Sequence, residues 1–372
     1  LGRWRPSGEV TPGSWTQYLN PTIDTVQNYF LTSSSFNSTE FSGDWTLGNP
    51  FAFRRIFFSR QSGLWDDPNS WTYSPTHSGP IFGAGLWPDN TLDSAVIGGG
   101  DGMMTNPHEI VLDVDANIQG TALGTSPTDR GILNTSVHTL SGLYFTMADY
   151  STLKIGSSQG ISSLGNNNGS ILTTQTRNYN INGIYEYNGT SNQIYGSGLP
   201  NIVYDLVINN SGNINNNTVL AGNNINIQRN LSVLQGAFNL QTYSANSSTG
   251  SGNFLINPNA RLIIGGNNNL QTSINNYNLY NIDTDSYIEF NGITGNSQII
   301  NILPNNLTLG LGNVDLTNNG TKIANSSLII RGNLHNYSPS ILQINQIDAL
   351  QVKKNVINDS QIINSGILEI GE

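Results

Sequence analysis

The sequence predicts an all-β protein: an elongated right-handed parallel β-helix, a solenoid with a Trp-rich N-terminal cap. Three observations predict it. An internal repeat runs through the second half, short apolar–polar strands recur between turn clusters, and no helical period persists beyond two turns. Residues 185–241 begin YEYNGTSNQIYGSGLPNIVYDLVINNSGN, and residues 288–345 begin IEFNGITGNSQIINILPNNLTLG. Glu186/Glu289, Ile225/Leu328, Ile227/Ile330 and Leu231/Leu334 all hold an offset of 103. A repeat of this kind means a body that grows by stacking similar units. At ~20 residues per rung, a 103-residue unit holds roughly four or five rungs.

The strands come next. LVIN, INIQ, FLIN, RLIIG, SLIIRG and ILEIG alternate apolar and polar residues, the period of a strand with one buried face. The 40 Gly and 14 Pro mark turns between them. Asn runs at 166–168, 215–217 and 267–269 suit corners where side-chain amides stack from rung to rung, as in other cross-strand ladders. A single rung buries too little to stand alone, so stacking must supply backbone ladders and a continuous core.

The N-terminal part reads differently. Residues 1–56 scatter aromatics between Ser/Thr/Gly/Pro turns and form a strand or linker segment. Residues 57–132 are the Trp-rich capping part, and 133–372 the repeating rungs. In SGLWDDPNSW, Asp, Pro and Asn give strong turn chemistry. That turn brings Trp65 and Trp71 close together. HEIVLDVDANI reads as a strand in which His108, Ile110, Leu112 and Val114 share a face.

Composition excludes several functions. Net charge is −10 and the cations are scattered, which argues against nucleic acid. No run of about 18 apolar residues is present, so no span is expected. With no Cys, disulfides and thiolate sites are excluded. The chain opens without Met and closes in a strand-like pattern. The expectation is a piece of a longer secreted chain.

Candidate chemistry is sparse. Glu186 and Glu289 are a tempting acid pair. As repeat equivalents several rungs apart, at ~4.8 Å per rung, they sit roughly 20 Å from each other, beyond a glycosidase pair. Asp283 with Asp285, and Asp113 and Asp115 with Asp101, offer oxygens to a structural Ca²⁺. They lack Gly-anchored loop spacing, so the reading is a solvated face. His77, His108, His138 and His335 lack metal-ligand spacing, and His108 reads as a hydrogen-bonded corner residue. No catalytic, cofactor-binding or metal residues are assigned. Trp65, Trp71 and Trp87 are the candidate carbohydrate contacts, against a capping core as the favoured role. Tyr185, Tyr187, Tyr195 and Tyr204 are a weaker exposed surface.

SGLWDDPNSW, the Gly-rich loop, VIGGG and HEIVLDVDANI together resemble the opening of β-helical modules in large surface proteins of Bacteroidetes. YNGTSNQIYGSGLPNIVYDLVINNSGN resembles their recurrent unit, and the likeness covers about 57–345. The resemblance implies export by type IX secretion and an extracellular role as an adhesin or gliding-motility surface protein. Its expected partners are a surface glycan or substratum ligand, further domains of the same chain, and the secretion machinery. That family's sorting domain has no counterpart after 345. The resemblance also implies O-glycosylation at Asp93-Ser94-Ala95 and Asp24-Thr25-Val26, on Ser94 and Thr25. The function expected is therefore a non-catalytic structural and adhesive solenoid. The alternatives are a carbohydrate-active β-helix enzyme (lyase or glycoside hydrolase) and a trimeric phage-type spike.

Overall fold

The computed structural model describes residues 2–4, 15–17, 22–24, 29–31, 45–46, 55–81, 85–99, 107–293, 295, 297–305, 307, 309–346 and 349–371. It is nearly all β, with parallel sheets stacked as a solenoid of about 11 turns. Three long sheets carry the body. The first has nine strands, from Gly63–Leu64 through Glu109–Val111, Thr152–Ile155 and Ile184–Tyr187 to Leu279–Ile282. The second has six, ending at Ile171–Asn178. The third has eight, from Gln193–Ile194 to Val356–Asn358. Shorter sheets of three and four strands complete the later turns. Among residues 2–46 the pairing is antiparallel instead, Gly2–Trp4 with Trp15–Gln17 and Thr22–Asp24 with Tyr29–Leu31.

The core is a set of side-chain columns running along the solenoid. In the first sheet, Ile110, Leu133, Leu153, Tyr185, Leu206, Leu231 and Phe254 stack in register, all buried. In the third, Val219, Phe238, Leu262, Ile288, Val314 and Leu334 do the same. The two-residue period of each strand selects these residues, because successive side chains point to opposite faces. Burial of each stabilises by about 1.5–3 kcal/mol.

That period also corrects the tyrosine surface. Tyr185 and Tyr187 flank the outward Glu186 and are fully buried, and Tyr195 is buried too. The Tyr187 hydroxyl donates to Tyr195 O at 2.7 Å, so its polar end is satisfied inside the core. Tyr204 alone of the four is half-exposed.

Amide ladders do form at corners, but at single asparagines rather than in the Asn runs at 166–168, 215–217 and 267–269. The Asn313 side-chain oxygen accepts from Asn333 N–H at 2.9 Å and from its side-chain amide at 3.2 Å; Asn333 accepts from Asn355 in the same way, at 3.1 Å each. HEIVLDVDANI is two strands, not one: Glu109–Val111 and Ala116–Leu123, with a bend at Asp113–Val114. Val114 is therefore exposed while Ile110 and Leu112 are buried.

The repeat lands on a different face each time. In the first copy, Ile184–Tyr187 belongs to the first sheet and Gln193–Ile194 opens the third. In the second, Tyr287–Phe290 belongs to the third sheet and Ser297–Ile299 opens a further four-stranded sheet. Along the first sheet, Glu186 is followed in register by Val207, Ser232, Leu255 and Asn281. Glu289 lies one face further on, in the third sheet. The offset of 103 is thus four rungs plus one face.

Candidate functional site

The densest charged arrangement lies on the outward side of the third sheet. Parallel register places Glu289 beside Asp315, and Asp315 beside His335. Arg261, one rung before Glu289, reaches across both acids: its Nη1 is 2.8 Å from Glu289 Oε2 and 2.6 Å from Asp315 Oδ2. Its guanidinium lies over the Tyr287 ring at 4.7 Å, a cation–π contact. Burial works against the charge on Arg261, but Asp315 and Glu289 outweigh it and raise its pKa. Thr317 donates to the other Glu289 oxygen at 2.9 Å. His335 contacts Asp359 at 2.6 Å and stacks on Tyr337 with 3.5 Å between ring centroids.

Glu186 is not part of this group. It accepts from the Asn209 side-chain amide at 2.7 Å on the first sheet. The sequence placed Glu186 and Glu289 several rungs apart, and the structure keeps them on different sheets; the acid beside Glu289 is Asp315. Strand register alone makes that pair, and the repeat offset gives no hint of it.

Beneath this surface lies Lys322, fully buried. Its Nζ donates to the carbonyls of Gly292 (2.8 Å), Gly320 (3.2 Å) and Thr317. Burial pushes its pKa down to about 8, with Glu289 pulling the other way. Three carbonyl acceptors match the three protons of an ammonium, so this cation ties a corner together.

A second cluster sits near the N-terminal end. Ser59 O accepts from His77 Nδ1 at 2.7 Å and from His108 Nδ1 at 3.0 Å. A carbonyl only accepts, so each ring carries a proton on Nδ1. His77 Nε2 faces Asp129 Oδ1 at 3.3 Å. Burial alone would raise the Asp129 pKa; His77, the Thr125 hydroxyl and Gly99 N–H together lower it to about 2. Ser59, His77 and Asp129 do not form a nucleophilic triad. The Ser59 hydroxyl is fully buried and bonded to Gly98 N–H at 2.9 Å, and the imidazole nitrogen beside it is already protonated toward a carbonyl, which leaves no base for Ser59. The cluster is a corner staple. It contains His108, as read from sequence, but also His77, which the sequence spacing did not connect to it.

The sequence-predicted contacts are dispersed. Trp65 and Trp71 lie edge to face, ring centroids 5.2 Å apart, and both are fully buried. Their indole N–H groups donate to Pro88 O at 3.0 Å and Trp65 O at 2.9 Å. They offer no face to a sugar, which corrects the reading of them as carbohydrate contacts. Trp87 is half-buried against the same core. Ser94 is half-buried in a strand, and its neighbour Asp93 is buried and held by Arg55 at 2.6 and 2.7 Å; the Asp–Ser–Ala string is not displayed as a surface loop. Thr25 and Asp101 lie outside the described residues.

Asp283 and Asp285 sit in a corner turn rather than on a strand face, and Asp285 pairs with Lys354 at 2.9 Å. Asp115 pairs with His138 at 3.5 Å. Among the described residues, no group of three or more His, Asp or Glu is placed to hold a metal ion, and no helix is long and apolar enough to cross a membrane. Comparison with protein-family models, curated proteins and solved structures gives no match. Fold and site together define a β-solenoid whose charged surface residues mostly link one rung to the next.

Proposed function

We propose that the chain is a non-catalytic shaft of an extracellular, adhesive surface protein. The observation that carries this reading is the face shift of the repeat. A duplication that returns one face further on cannot bring its equivalent acids together; it lengthens the body. About 11 turns at ~4.8 Å make roughly 50 Å of solenoid. The outward charges support the reading, since Arg261–Glu289–Asp315 and Lys154–Glu109 each bridge rungs. Likeness to Bacteroidetes surface modules, argued from SGLWDDPNSW and the recurrent unit, supports a cell-surface setting and type IX export.

A carbohydrate-active enzyme is the second reading, favoured by one observation. Glu289 and Asp315 are acids adjacent in register on neighbouring strands. The test is incubation with neutral and acidic polysaccharides, reading reducing ends and unsaturated products. The shaft reading expects no product above a heat-denatured control. Product formation that Glu289→Gln or Asp315→Asn abolishes, with circular dichroism unchanged, would establish the enzyme instead. A trimeric mass by light scattering would favour the spike.

A further inference from the structure

Beside the Arg261 ladder the solenoid surface is indented. The indentation follows from unequal corners between the first and third sheets. The strand Asp205–Asn209 reaches Thr218–Leu220 through the eight residues 210–217. One rung later, Leu231–Gln235 reaches Ala237–Asn239 through Gly236 alone. The long corner stands out as a wall, with Ile214 82 % exposed at its tip. The tight corner forms the floor. Gly236 has φ +78°, and a Cβ there would lie 2.6 Å from Asn217 O and 2.7 Å from Asn210 O, so the short turn needs glycine. The result is a groove of about 800 Å³, the size of small-ligand sites, ~300–1,000 Å³.

Its lining has a consistent chemistry. Asn217, Gln235, Asn257 and Asn259 are among its lining residues. None of these four amides takes part in a hydrogen bond among the described residues. Corner amides such as Asn210 and Asn333, in contrast, bond the neighbouring rung. Tyr287 and Tyr337 supply aromatic surface at one end, and Tyr337 is held in place by the His335 ring stacked on it. Arg261 is the groove's cation, and two carboxylates already claim it. Those two carboxylates occupy the guanidinium, and the nearby Lys322 ammonium is buried on three carbonyls, so that end offers an anion no free counter-charge.

We propose that this groove binds a neutral oligosaccharide. Each amide both donates and accepts, which matches sugar hydroxyls. The Tyr faces and Ile214 suit the C–H faces of a pyranose. With its one lining cation already paired, the groove has nothing to hold the charges of uronate or sulfated chains. The groove runs from the rung of Asn217 to that of Tyr287, three rung intervals or ~14 Å, so the ligand is a segment of a chain rather than one sugar. The inference gives the shaft reading a ligand class and a site.

The test is affinity electrophoresis of the whole chain. Galactomannan, xyloglucan and mixed-linkage β-glucan are the neutral probes; polygalacturonate and alginate are the acidic ones. The expected result is retardation by at least one neutral polymer and by neither acidic one. Asn217→Ala/Asn257→Ala removes two amides that hold nothing in the fold, and should weaken retention about tenfold, the loss of roughly two hydrogen bonds. Tyr337→Ala is the second variant, with the same expectation. Thermal melting confirms that both fold. Retardation by no neutral polymer, by acidic polymers alone, or unchanged in both folded variants overturns the proposal. Cleavage of a probe would overturn the shaft reading separately, and absence of retention leaves that reading standing.

Discussion

Gln193 and Gln298 hold the same three-point clip at equivalent places in the two copies of the repeat. The Gln193 carbonyl accepts from Gly189 N–H at 3.0 Å, and its amide donates to Ile155 O and Ser157 O at 2.8 and 3.0 Å. Gln298 accepts from Gly292 N–H at 3.0 Å and donates to Ile264 O and Asn268 O at 3.0 and 2.8 Å. Both side chains point inward and are buried. Each occupies the first strand of a new sheet. A new sheet has no preceding strand to bond the carbonyls of the rung below, and buried carbonyls must find donors. The glutamine amide substitutes for the missing strand.

This predicts a large cost for a shape-preserving change. Gln298→Leu leaves one N–H and two carbonyls without their partner, and Gln193→Leu takes an acceptor from the Asn210 amide as well, at about 1–3 kcal/mol for each group left unmet. A loss of roughly 3 kcal/mol is expected from either single variant, read as a lower urea midpoint. Equal midpoints for wild type and both variants would show that water replaces the amide, and that the clip holds nothing.

The Asp129 corner predicts a pH dependence. In the folded chain its carboxylate protonates near pH 2, against an ordinary value of 3.8. Between those values the unfolded chain binds more protons, so stability falls as pH falls. The contribution is fully present above about pH 4 and lost as pH drops toward 2. It amounts to roughly 1–2 kcal/mol, once solvent screening of the part-exposed carboxylate is allowed for. Asp129→Asn should remove that part of the acid slope and lower stability at pH 7. An acid slope identical in Asp129→Asn and wild type would assign it to other carboxylates.

Arg261 predicts a charge effect that distinguishes a structural ladder from an active site. The Glu289 and Asp315 side chains are only 16 % and 6 % exposed. Arg261→Leu leaves them adjacent without the guanidinium that bridges them, at a cost of about 3 kcal/mol. The further change Asp315→Leu should restore much of it, because the remaining acid then faces no like charge. Stability measured by urea unfolding at pH 7 checks both steps. If the double variant is less stable than Arg261→Leu alone, Asp315 does more than pair with Arg261.

Much of the solenoid was legible in the sequence, and the surface less so. Strand alternation set the inward columns, whereas the amide ladder formed at the single asparagines Asn313, Asn333 and Asn355 rather than in the Asn runs. What failed were inferences about phase. YEYNG shows that tyrosines alternate with an acid, but not which of the two points inward; the neighbouring columns decide it, and Leu206 and Leu153 place Tyr185 inside. The offset of 103 gives a spacing without a rotation, so the face shift that separates Glu186 from Glu289 was invisible. Lys322 lies inward in TKIA because its column begins at Gln298, where the core is already polar. His77 and His108 meet through Ser59, from strands and loops that the chain order keeps apart.

The asparagine ladder carries the last prediction. Asn333 is the middle member: it donates to Asn313 and accepts from Asn355 through both the backbone and side-chain N–H groups. Each corner thereby bonds the next with a side chain where the turn interrupts the strand ladder. Asn333→Ala removes the donor to one rung and the acceptor for two groups of the other. Asn355 is exposed and water can serve its freed donors, so the cost should be about 1 kcal/mol, that of ordinary hydrogen bonds rather than buried unmet ones. Asn333→Asp keeps the acceptor and loses only the donor, and should cost less than Asn333→Ala at neutral pH. Because solenoid stability is close to a sum of rung and interface terms, the loss should appear locally. Hydrogen exchange should quicken at the amides of 334–336 and 356–358, and stay unchanged in strands such as Ile184–Tyr187. Uniform acceleration along the whole chain would mean instead that the rungs unfold as one cooperative body, and that the ladder's effect is shared by all of them.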